Sequence, residues 1–378
     1  MTQTYNIVKI DTSNTHQVRQ FLGLPFRLYR DNRQWVPPIA PDARRVLDRR
    51  KHPFYQHGEA EFLLAINDHD QVVGRLSVLE NKNYNAFNHE HAAFFYNFES
   101  ENDAVAARAL FETAFDWARQ RGLDAMIGPK GFTVFDGIGM LIKGFDHRPA
   151  FGQPYNPAYY PELISALGFE GKRDMVSGYL SESNQFPETI HQLSERLQRR
   201  RGLQVTPFKT RAELLAIAPH LKDLYNSSLA GVNENPPLTD QDVKVLANQL
   251  IRFSDPNLIK IIRKGDQFVG FLFAYPDISA ALQRTRGRLF PLGWINLLLE
   301  LRRTRWININ GAGMVEAYRG LGGMALLFSE MYKSVVESGR YRYADLVQIS
   351  TDNDKMQLEL RKLGIDFYKT HRVYQRSL

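Results

Sequence analysis

The 378-residue chain contains no cysteine. Disulfide bonds, thiolate nucleophiles and zinc–thiolate sites are therefore excluded together. The chain also lacks a long apolar run, since no stretch approaches the roughly 20 residues of a membrane-spanning helix. The first twenty residues lack the apolar core of a signal peptide. With 43% apolar and 24% charged residues, these absences predict a cytoplasmic protein of ordinary globular composition.

Several catalytic motifs are absent as well. The chain has no GxxxxGK[ST] phosphate loop and no GxSxG nucleophile elbow, and its two partial GxGxxG stretches lack the third glycine. Its histidines match metal-ligand spacing only loosely, so no metal site is expected. A net charge of +7 indicates an anionic partner. Because no basic block is interleaved with aromatic residues, an anionic cofactor or a lipid surface is favoured over nucleic acid.

An internal repeat indicates two similar units. The stretch DQVVG at 70–74 recurs as DQFVG at 266–270, an offset of 266 − 70 = 196. Gly168 and Gly364, which follow two helical patterns, differ by the same 196. Each half also carries a helix whose apolar residues fall at i, i+3, i+4, i+7 and i+11. These stripes are Ala107, Leu110, Phe111, Ala114 and Ala118 in the first half, and Met324, Leu327, Phe328, Met331 and Val335 in the second.

The repeat predicts an α/β fold built from one unit used twice. We expect a first domain over 1–182, a second over 203–378 and a polar linker over 183–202. Each unit reads as a strand, a helical region, a hairpin, a strand, a long helix, a strand, a helix and final strands. Each carries its own insertion, at 128–157 in the first unit and at 276–305 in the second.

The two halves differ at the turn that enters the long helix. In the second half this turn is Arg319, Gly320, Leu321, Gly322 and Gly323. Glycines let backbone N–H groups approach a ligand, and the positive end of a helix dipole suits a phosphate. Arg319 adds a positive charge. The first half has Glu99, Glu101 and Asp103 instead, which would satisfy the helix end and repel a diphosphate. One unit is therefore predicted to bind an anion, and the other to have closed that site.

The order of these features resembles the acyl-CoA N-acyltransferases of the GNAT fold. Val315 to Gly323 is similar to that family's pyrophosphate loop, and Asn353 matches the point where the next strand leads to the last helix. The resemblance implies acyl-CoA or acetyl-CoA as cosubstrate. The cofactor-binding residues that it implies are Met314, Val315, Arg319, Gly320, Leu321, Gly322, Gly323 and Met324. The chain departs from the family at Met324, where a small residue is usual, and at Leu360, where a tyrosine general acid is common.

Four stretches of the sequence point to one family within this fold. LPFRLYRDNRQWVPP (24–38), HPFYQHGEAEFLLA (52–65), GPKGFTVFDGIGMLIKGFD (128–146) and QPYNPAYYPELISALGF (153–169) resemble the YghO-like family of tandem GNAT-fold proteins, which includes bacterial ceramide synthases. The likeness runs from about residue 20 to the C-terminus. It implies transfer of an acyl group from CoA to an amine, with a lipid or sphingoid amine as the narrower expectation. The alternative is a non-catalytic CoA-binding or membrane-associated scaffold protein.

The resemblance also implies how the chemistry runs. An amine attacks the thioester carbonyl, and alignment of the two supplies much of the rate. A backbone amide near Met314 or Val315 would hold the developing oxyanion. Asp345, on the following strand, is the candidate base, with a carboxylate at a strand end as the alternative reading. Asn353 is expected to order cofactor or backbone. At Thr351 we would have expected an acidic residue.

The two insertions carry the remaining expectations. The stretch 128–160, which contains the first insertion, is expected to cover the acceptor or, alternatively, to pack the two halves together; its candidate contacts are Asp136, Asn156, Tyr159 and Tyr160. The segment 278–305 contains six arginines, one acidic residue and many apolar residues. Such a segment favours peripheral contact with an anionic membrane. A path for a long acyl chain and a helix docked between the domains are the alternatives.

Overall fold

The computed structural model describes residues 4–230 and 234–378, except for the side chains at 246 and 248–253. Elements of the first half are β1 (Asn6–Lys9), α1 (Thr15–Leu28), α2 (Ala40–Arg45), β2 (Gly58–Ile66), β3 (Val72–Asn81), α3 (Lys82–Asn88), β4 (Ala92–Ser100), α4 (Ala104–Arg119), β5 (Ala125–Gly128), β6 (Met140–Lys143), α5 (Tyr160–Ser165) and β7 (Glu170–Ser181). Those that follow are α6 (Glu188–Arg201), β8 (Leu203–Thr206), α7 (Arg211–Ala216), α8 (Ala218–Leu229), α9 (Asp240–Phe253), β9 (Ile259–Lys264), β10 (Gln267–Pro276), α10 (Ser279–Thr285), α11 (Gly293–Arg303), β11 (Trp306–Met314), α12 (Gly323–Ser338), β12 (Tyr343–Ser350), α13 (Asp354–Lys362) and β13 (Asp366–Ser377).

The repeat is visible in these bounds. Strands β7 and β13 begin 366 − 170 = 196 and end 377 − 181 = 196 residues apart. The long helices α4 and α12 have 16 residues each. The hairpins β2–β3 and β9–β10 turn at residues in the left-handed region, Asp70 (φ 57°) and Gly265 (φ 58°). Two copies of one supersecondary pattern therefore exist as structure and not only as sequence.

The predicted apolar stripes face the cores. The five stripe residues of α4 are all at most 1% exposed. In α12, Leu327, Phe328 and Met331 are buried, and Met324 and Val335 pack against the same core at its edge. The other face of the second unit is covered by α8, through Leu221 and Leu224. Each unit is thus a sheet with helices on both faces.

Strand order shows that the halves exchange their last strands. Within the described residues, the main path of a single sheet runs β1-β2-β3-β4-β5-β13-β7-β12-β11-β10-β9-β8, with β6 beside β13. Strand β7, from the first half, pairs with β12, where Leu180 lies opposite Ala344. Strand β13, from the second half, pairs with β5, where Gln375 lies opposite Ile127. Each half therefore completes the hydrogen-bonded edge of the other.

The two insertions also cross between the halves. Val134 and Phe135 of the first insertion pack against the core of the second unit. In the second insertion, Leu282 and Leu297 pack with Ile39 of the first unit. The first insertion joins the two units, as one of its two sequence readings expected. Among the described helices, none is long and apolar enough to cross a bilayer.

Candidate active site

A gap opens between two parallel strands of the second unit. Strands β11 and β12 are in register from Trp306 opposite Tyr343 to Ile309 opposite Leu346. Both continue further, β11 to Met314 and β12 to Ser350, without pairing to each other over that part. The pairing of β11 with β10 shifts beside the gap, and Gly311 there has φ 113°. Unpaired strand edges leave backbone groups that a bound chain can engage.

The turn that leads from β11 into α12 is built on glycines. Gly320 (φ 70°) and Gly322 (φ 88°) occupy the left-handed region, which favours glycine. A Cβ on Gly323 would lie 2.4 Å from Met314 Cε, so α12 packs closely on β11 here and a larger residue would require the end of the Met314 side chain to move. Among the residues that the structure describes, no side chain caps α12, and the first backbone bond into the helix is from Leu326 N–H to Gly322 O. Its leading N–H groups therefore have no side-chain acceptor among these residues.

Arg319 holds the turn in place. Its guanidinium donates to the backbone oxygens of Met314 (3.1 Å), Ser228 (3.3 Å) and Ala230 (2.8 Å). The side chain predicted to face the anion thus ties the turn to β11 and to the end of α8. A second cation lies nearby, since Lys264 Nζ is 5.5 Å from the centre of the Tyr318 ring. Lys264 was not singled out in the sequence because it lies in the hairpin, far from the turn along the chain.

Val315 contributes less of its backbone than the sequence suggested. Its N–H donates to Val269 O at 2.9 Å, so this amide is already used. Leu321 and Met324, also expected at the cofactor, are half-buried around the turn, and Met324 packs against the core.

The sequence did not predict the pair Tyr275 and Asn310, which lies beside the gap. Asn310 lies beside Gly311, and its Nδ2 donates to the Tyr275 hydroxyl at 3.3 Å; burial raises the pKa of Tyr275 to about 12.

The equivalent turn of the first unit is filled by its own side chains. Asp103 caps α4 by accepting from Val105 N–H (2.8 Å) and Ala106 N–H (3.0 Å). Glu99 is buried and accepts from the hydroxyls of Tyr29 (2.7 Å) and Tyr160 (2.8 Å). Burial raises the pKa of Glu99 against the opposing effect of a neighbouring arginine. The helix end and the strand end of the first unit are therefore both satisfied internally.

The four candidate acceptor contacts are engaged within the first half. The Tyr159 hydroxyl donates to Ser100 O at 2.7 Å, and Tyr160 is 1% exposed. Asn156 accepts from Leu141 N–H at 2.7 Å and donates to Leu141 O at 3.1 Å. Asp136 accepts from the N–H of Thr133 at 2.8 Å within its own loop. Their polar atoms hold the insertion and the closed turn of the first unit.

The two candidate catalytic residues make different contacts. Asp345 is 2% exposed, opposite Asn308 in the paired part of the strands, and accepts from Tyr368 (2.7 Å) and Lys369 (3.0 Å). Burial raises the pKa of Asp345, and Lys369 opposes that rise. Asn353 caps α13 by accepting from Met356 N–H at 3.1 Å. The Asn353 side chain thus orders backbone, which is one of its two expected roles.

Aromatic rings form a wall on the α8 face of the second unit. Phe135 of the first insertion lies 6.4 Å from Tyr225, Tyr225 stacks on Phe271 at 5.8 Å, and Phe271 stacks on Phe273 at 4.6 Å. A Cβ on Gly313 would lie 3.0 Å from Phe271. The wall therefore lies against β11 near the gap. Sequence spacing could not find it, because three elements distant in the chain supply its rings.

Two units of one pattern joined in one sheet, with helices on both faces, are the architecture of tandem GNAT-fold proteins, and the comparisons with known proteins agree with this fold. Over 378 aligned positions the chain is 24% identical to the bacterial ceramide synthase of Caulobacter vibrioides (strain NA1000 / CB15N), covering 96% of this chain and 95% of that protein. It is 23% identical over 375 positions to Protein YghO of Escherichia coli (strain K12), covering 97% and 94%. No protein-family model matches the chain.

Two solved structures share the architecture. The tandem GNAT protein from the clavulanic acid biosynthesis pathway superposes with a TM-score of 0.57 at 12% identity, covering 99% of this chain and 98% of that one. The GCN5-related N-acetyltransferase from Sphaerobacter thermophilus gives a TM-score of 0.50 at 13% identity, covering 99% and 95%. The expected tandem GNAT fold is confirmed, as is the resemblance to YghO and bacterial ceramide synthase.

Proposed function

We propose that the protein transfers an acyl group from acyl-CoA to an amine, with the cosubstrate bound to the second unit. One contrast carries the proposal: α12 begins at an open glycine turn without a cap, whereas Asp103 closes the equivalent end of α4. The N–H groups of Gly323 and Met324 would hold the diphosphate, and the gap between β11 and β12 would take the pantetheine arm. Acyl-CoA supplies an activated thioester carbonyl.

The residues around the gap suit the remaining steps. Backbone N–H groups on the unpaired part of β11 would stabilise the oxyanion that forms as the amine attacks. The incoming amine must lose a proton, directly or through water. Asp345 remains the proposed base. Its hydrogen bond from Lys369 would have to break, or Lys369 would have to pass the proton on to Asp345. The expelled thiolate requires a proton donor. Leu360 is buried and has none. Tyr275 would supply the proton, because its hydroxyl is bonded to Asn310 beside Gly311 and keeps its proton at neutral pH.

The narrower proposal is a lipid or sphingoid amine as acceptor. Similarity to a bacterial ceramide synthase over 95% of that protein supports it, and the aromatic wall offers apolar contact to a long chain. Peripheral contact of the segment 278–305 with a membrane would bring the gap to such an acceptor. The protein is accordingly proposed to use long-chain substrates in preference to small, soluble amines.

A charge change at Met324 tests the cosubstrate site. Met324→Glu places a carboxylate in the first turn of α12, where it favours the helix dipole but repels a diphosphate. We expect acyl-CoA to raise the melting temperature of the wild type and of Met324→Gln, and to leave that of Met324→Glu unchanged. At 100 times the dissociation constant the ligand adds about 2.7 kcal/mol. Met324→Gln controls for lost packing, and Val105→Glu places the same charge at the matching position of α4.

Measurements of ligand binding and of CoA release distinguish an enzyme from a non-catalytic scaffold protein. If CoA thioesters shift the melting temperature of neither the wild type nor Met324→Gln, the site is wrong. If they bind but no amine, long-chain or small, releases CoA thiol, the protein is a non-catalytic CoA-binding protein. Release with small amines alone, with no gain from a sphingoid amine, would contradict only the lipid acceptor.

A further inference from the structure

The second insertion presents a large apolar surface that neither unit covers. Six apolar side chains between residues 290 and 299 are exposed, with Phe290 at 86%, Leu292 at 64% and Trp294 at 50%. We call this set the apolar ridge; its members are Phe290, Leu292, Trp294, Ile295, Leu298 and Leu299. Contiguous exposed apolar residues of this size mark an interaction surface rather than ordinary surface variation.

The insertion that carries the ridge is anchored to the first unit. Leu297, on the opposite side of α11, is 7% exposed and packs in a cluster with Ile39 and Leu282. Gln283 Nε2 donates to the backbone oxygens of Arg33 (2.9 Å) and Trp35 (3.0 Å). Helix α10, through Gln283, and one face of α11, through Leu297, therefore contact the first unit. The ridge is exposed because it points away from both units.

Most arginines of the second insertion have no acidic partner among the described residues. The only acidic residue of the insertion, Glu300, is paired with Arg284. The other five arginines are exposed and form no ion pair within the part of the chain that the structure describes; they are Arg286, Arg288, Arg302, Arg303 and Arg305. The ridge is thus an apolar strip with unpaired guanidinium groups before and after it in the chain.

We propose that the ridge inserts into the surface of an anionic lipid bilayer. Its apolar side chains would enter the boundary between headgroups and acyl chains, and the five free arginines would bind headgroup phosphates. A second copy of the chain fits less well, because an isologous contact would bring two sets of five arginines together. The charge around the ridge therefore selects an anionic surface. This inference deepens the membrane contact of segment 278–305 included in the proposed function, and it can be tested without a substrate, so its failure would leave the proposal of acyl transfer standing.

Vesicle cosedimentation tests the inference on the full chain. We expect the wild type to bind vesicles of phosphatidylcholine with phosphatidylglycerol at least about tenfold more tightly than vesicles of phosphatidylcholine alone. Replacing Phe290, Leu292 and Trp294 together by glutamine should abolish binding. Arg302→Glu with Arg303→Glu should remove the preference for anionic lipid. All the replaced side chains are exposed, so melting temperatures should be unchanged.

Matched controls come from exposed residues elsewhere. Val336→Gln with Leu358→Gln removes two exposed apolar side chains of the second unit, and Arg19→Glu with Arg196→Glu reverses two exposed charges; neither pair should alter vesicle binding. Equal sedimentation of the wild type and the ridge variant with anionic vesicles would overturn the proposal. So would a wild-type dimer that binds no vesicle and becomes monomeric when the ridge is replaced, because the ridge would then be a contact between copies.

Discussion

Burial, more than sequence neighbours, determines which partners the polar side chains of this protein contact. Asp345 and Lys369 form an ion pair in which both side chains are 3% exposed. His371, two residues further along β13, is 1% exposed, with Nε2 3.0 Å from Pro154 O. A motif can indicate that a carboxylate or a histidine is present. Whether it faces a substrate or an internal partner depends on the strands that cover it.

Burial of His371 predicts a pH-dependent stability. Its pKa falls from 6.5 to about 4 because burial disfavours the charged ring. Between these values the unfolded chain binds a proton that the folded chain does not, so stability falls as pH drops from 6.5 towards 4 and is unaffected by this group above that window. The loss approaches about 1.4 kcal/mol per pH unit. Urea unfolding of the wild type and His371→Gln at several pH values measures it.

The variant should show a smaller loss of stability over this window than the wild type. His16→Gln, at an exposed position on α1, serves as the control and should leave the slope unchanged. His52 is also buried, and its pKa is likewise lowered to about 4, so part of the slope should remain in His371→Gln. Identical slopes in the wild type and His371→Gln would contradict the assignment.

At the scale of elements, the two long helices differ in how they begin. Helix α4 has a side-chain cap, and Tyr5 donates a hydrogen bond to the same carboxylate. Helix α12 relies on glycines and on packing: a Cβ on Gly322 would lie 3.1 Å from Leu197 of α6. The segment predicted as a linker, 183–202, thus contains helix α6, which packs against the turn. Helices of equal length and similar apolar stripe therefore differ in how their first turns are satisfied.

Removing the cap of α4 should cost stability but not ligand binding. Asp103→Ala leaves the N–H groups of Val105 and Ala106 without their acceptor and should lower the free energy of unfolding by about 1 kcal/mol. Asp103→Asn keeps an acceptor and should lose less. Denaturant unfolding measures the difference, and the rise in melting temperature with acyl-CoA should persist in both. Loss of that rise would place the ligand in the first unit instead.

At the scale of the whole molecule, the exchange of β7 and β13 joins the halves. Strand β13 lies between β5 and β7, and β7 lies between β13 and β12. A chain cut between the halves would lose a central strand from each side of the sheet. An unpaired strand next to the cut would expose a row of backbone N–H and C=O groups.

Separately expressed halves should therefore not form stable monomers. Residues 1–202 and 203–378 are expected to aggregate or to remain loosely folded when produced alone, and to form a soluble one-to-one complex when produced together. Size-exclusion chromatography and circular dichroism of each half and of the pair provide the measurement. Cooperative unfolding of either half as a monomer would show that it completes its own sheet with its own last strand.

The sequence by itself determined the repeat, the apolar stripes of α4 and α12, and the open glycine turn, because helical periodicity and the backbone freedom of glycine are local properties. It also predicted the alternatives for the two insertions. Only the tertiary structure decided that β7 and β13 change sides, that Asp345 pairs with Lys369, that Arg319 holds the turn, and that the ridge is left uncovered. Strand partners and burial depend on residues distant in the chain, and the spacing of neighbouring residues does not specify them.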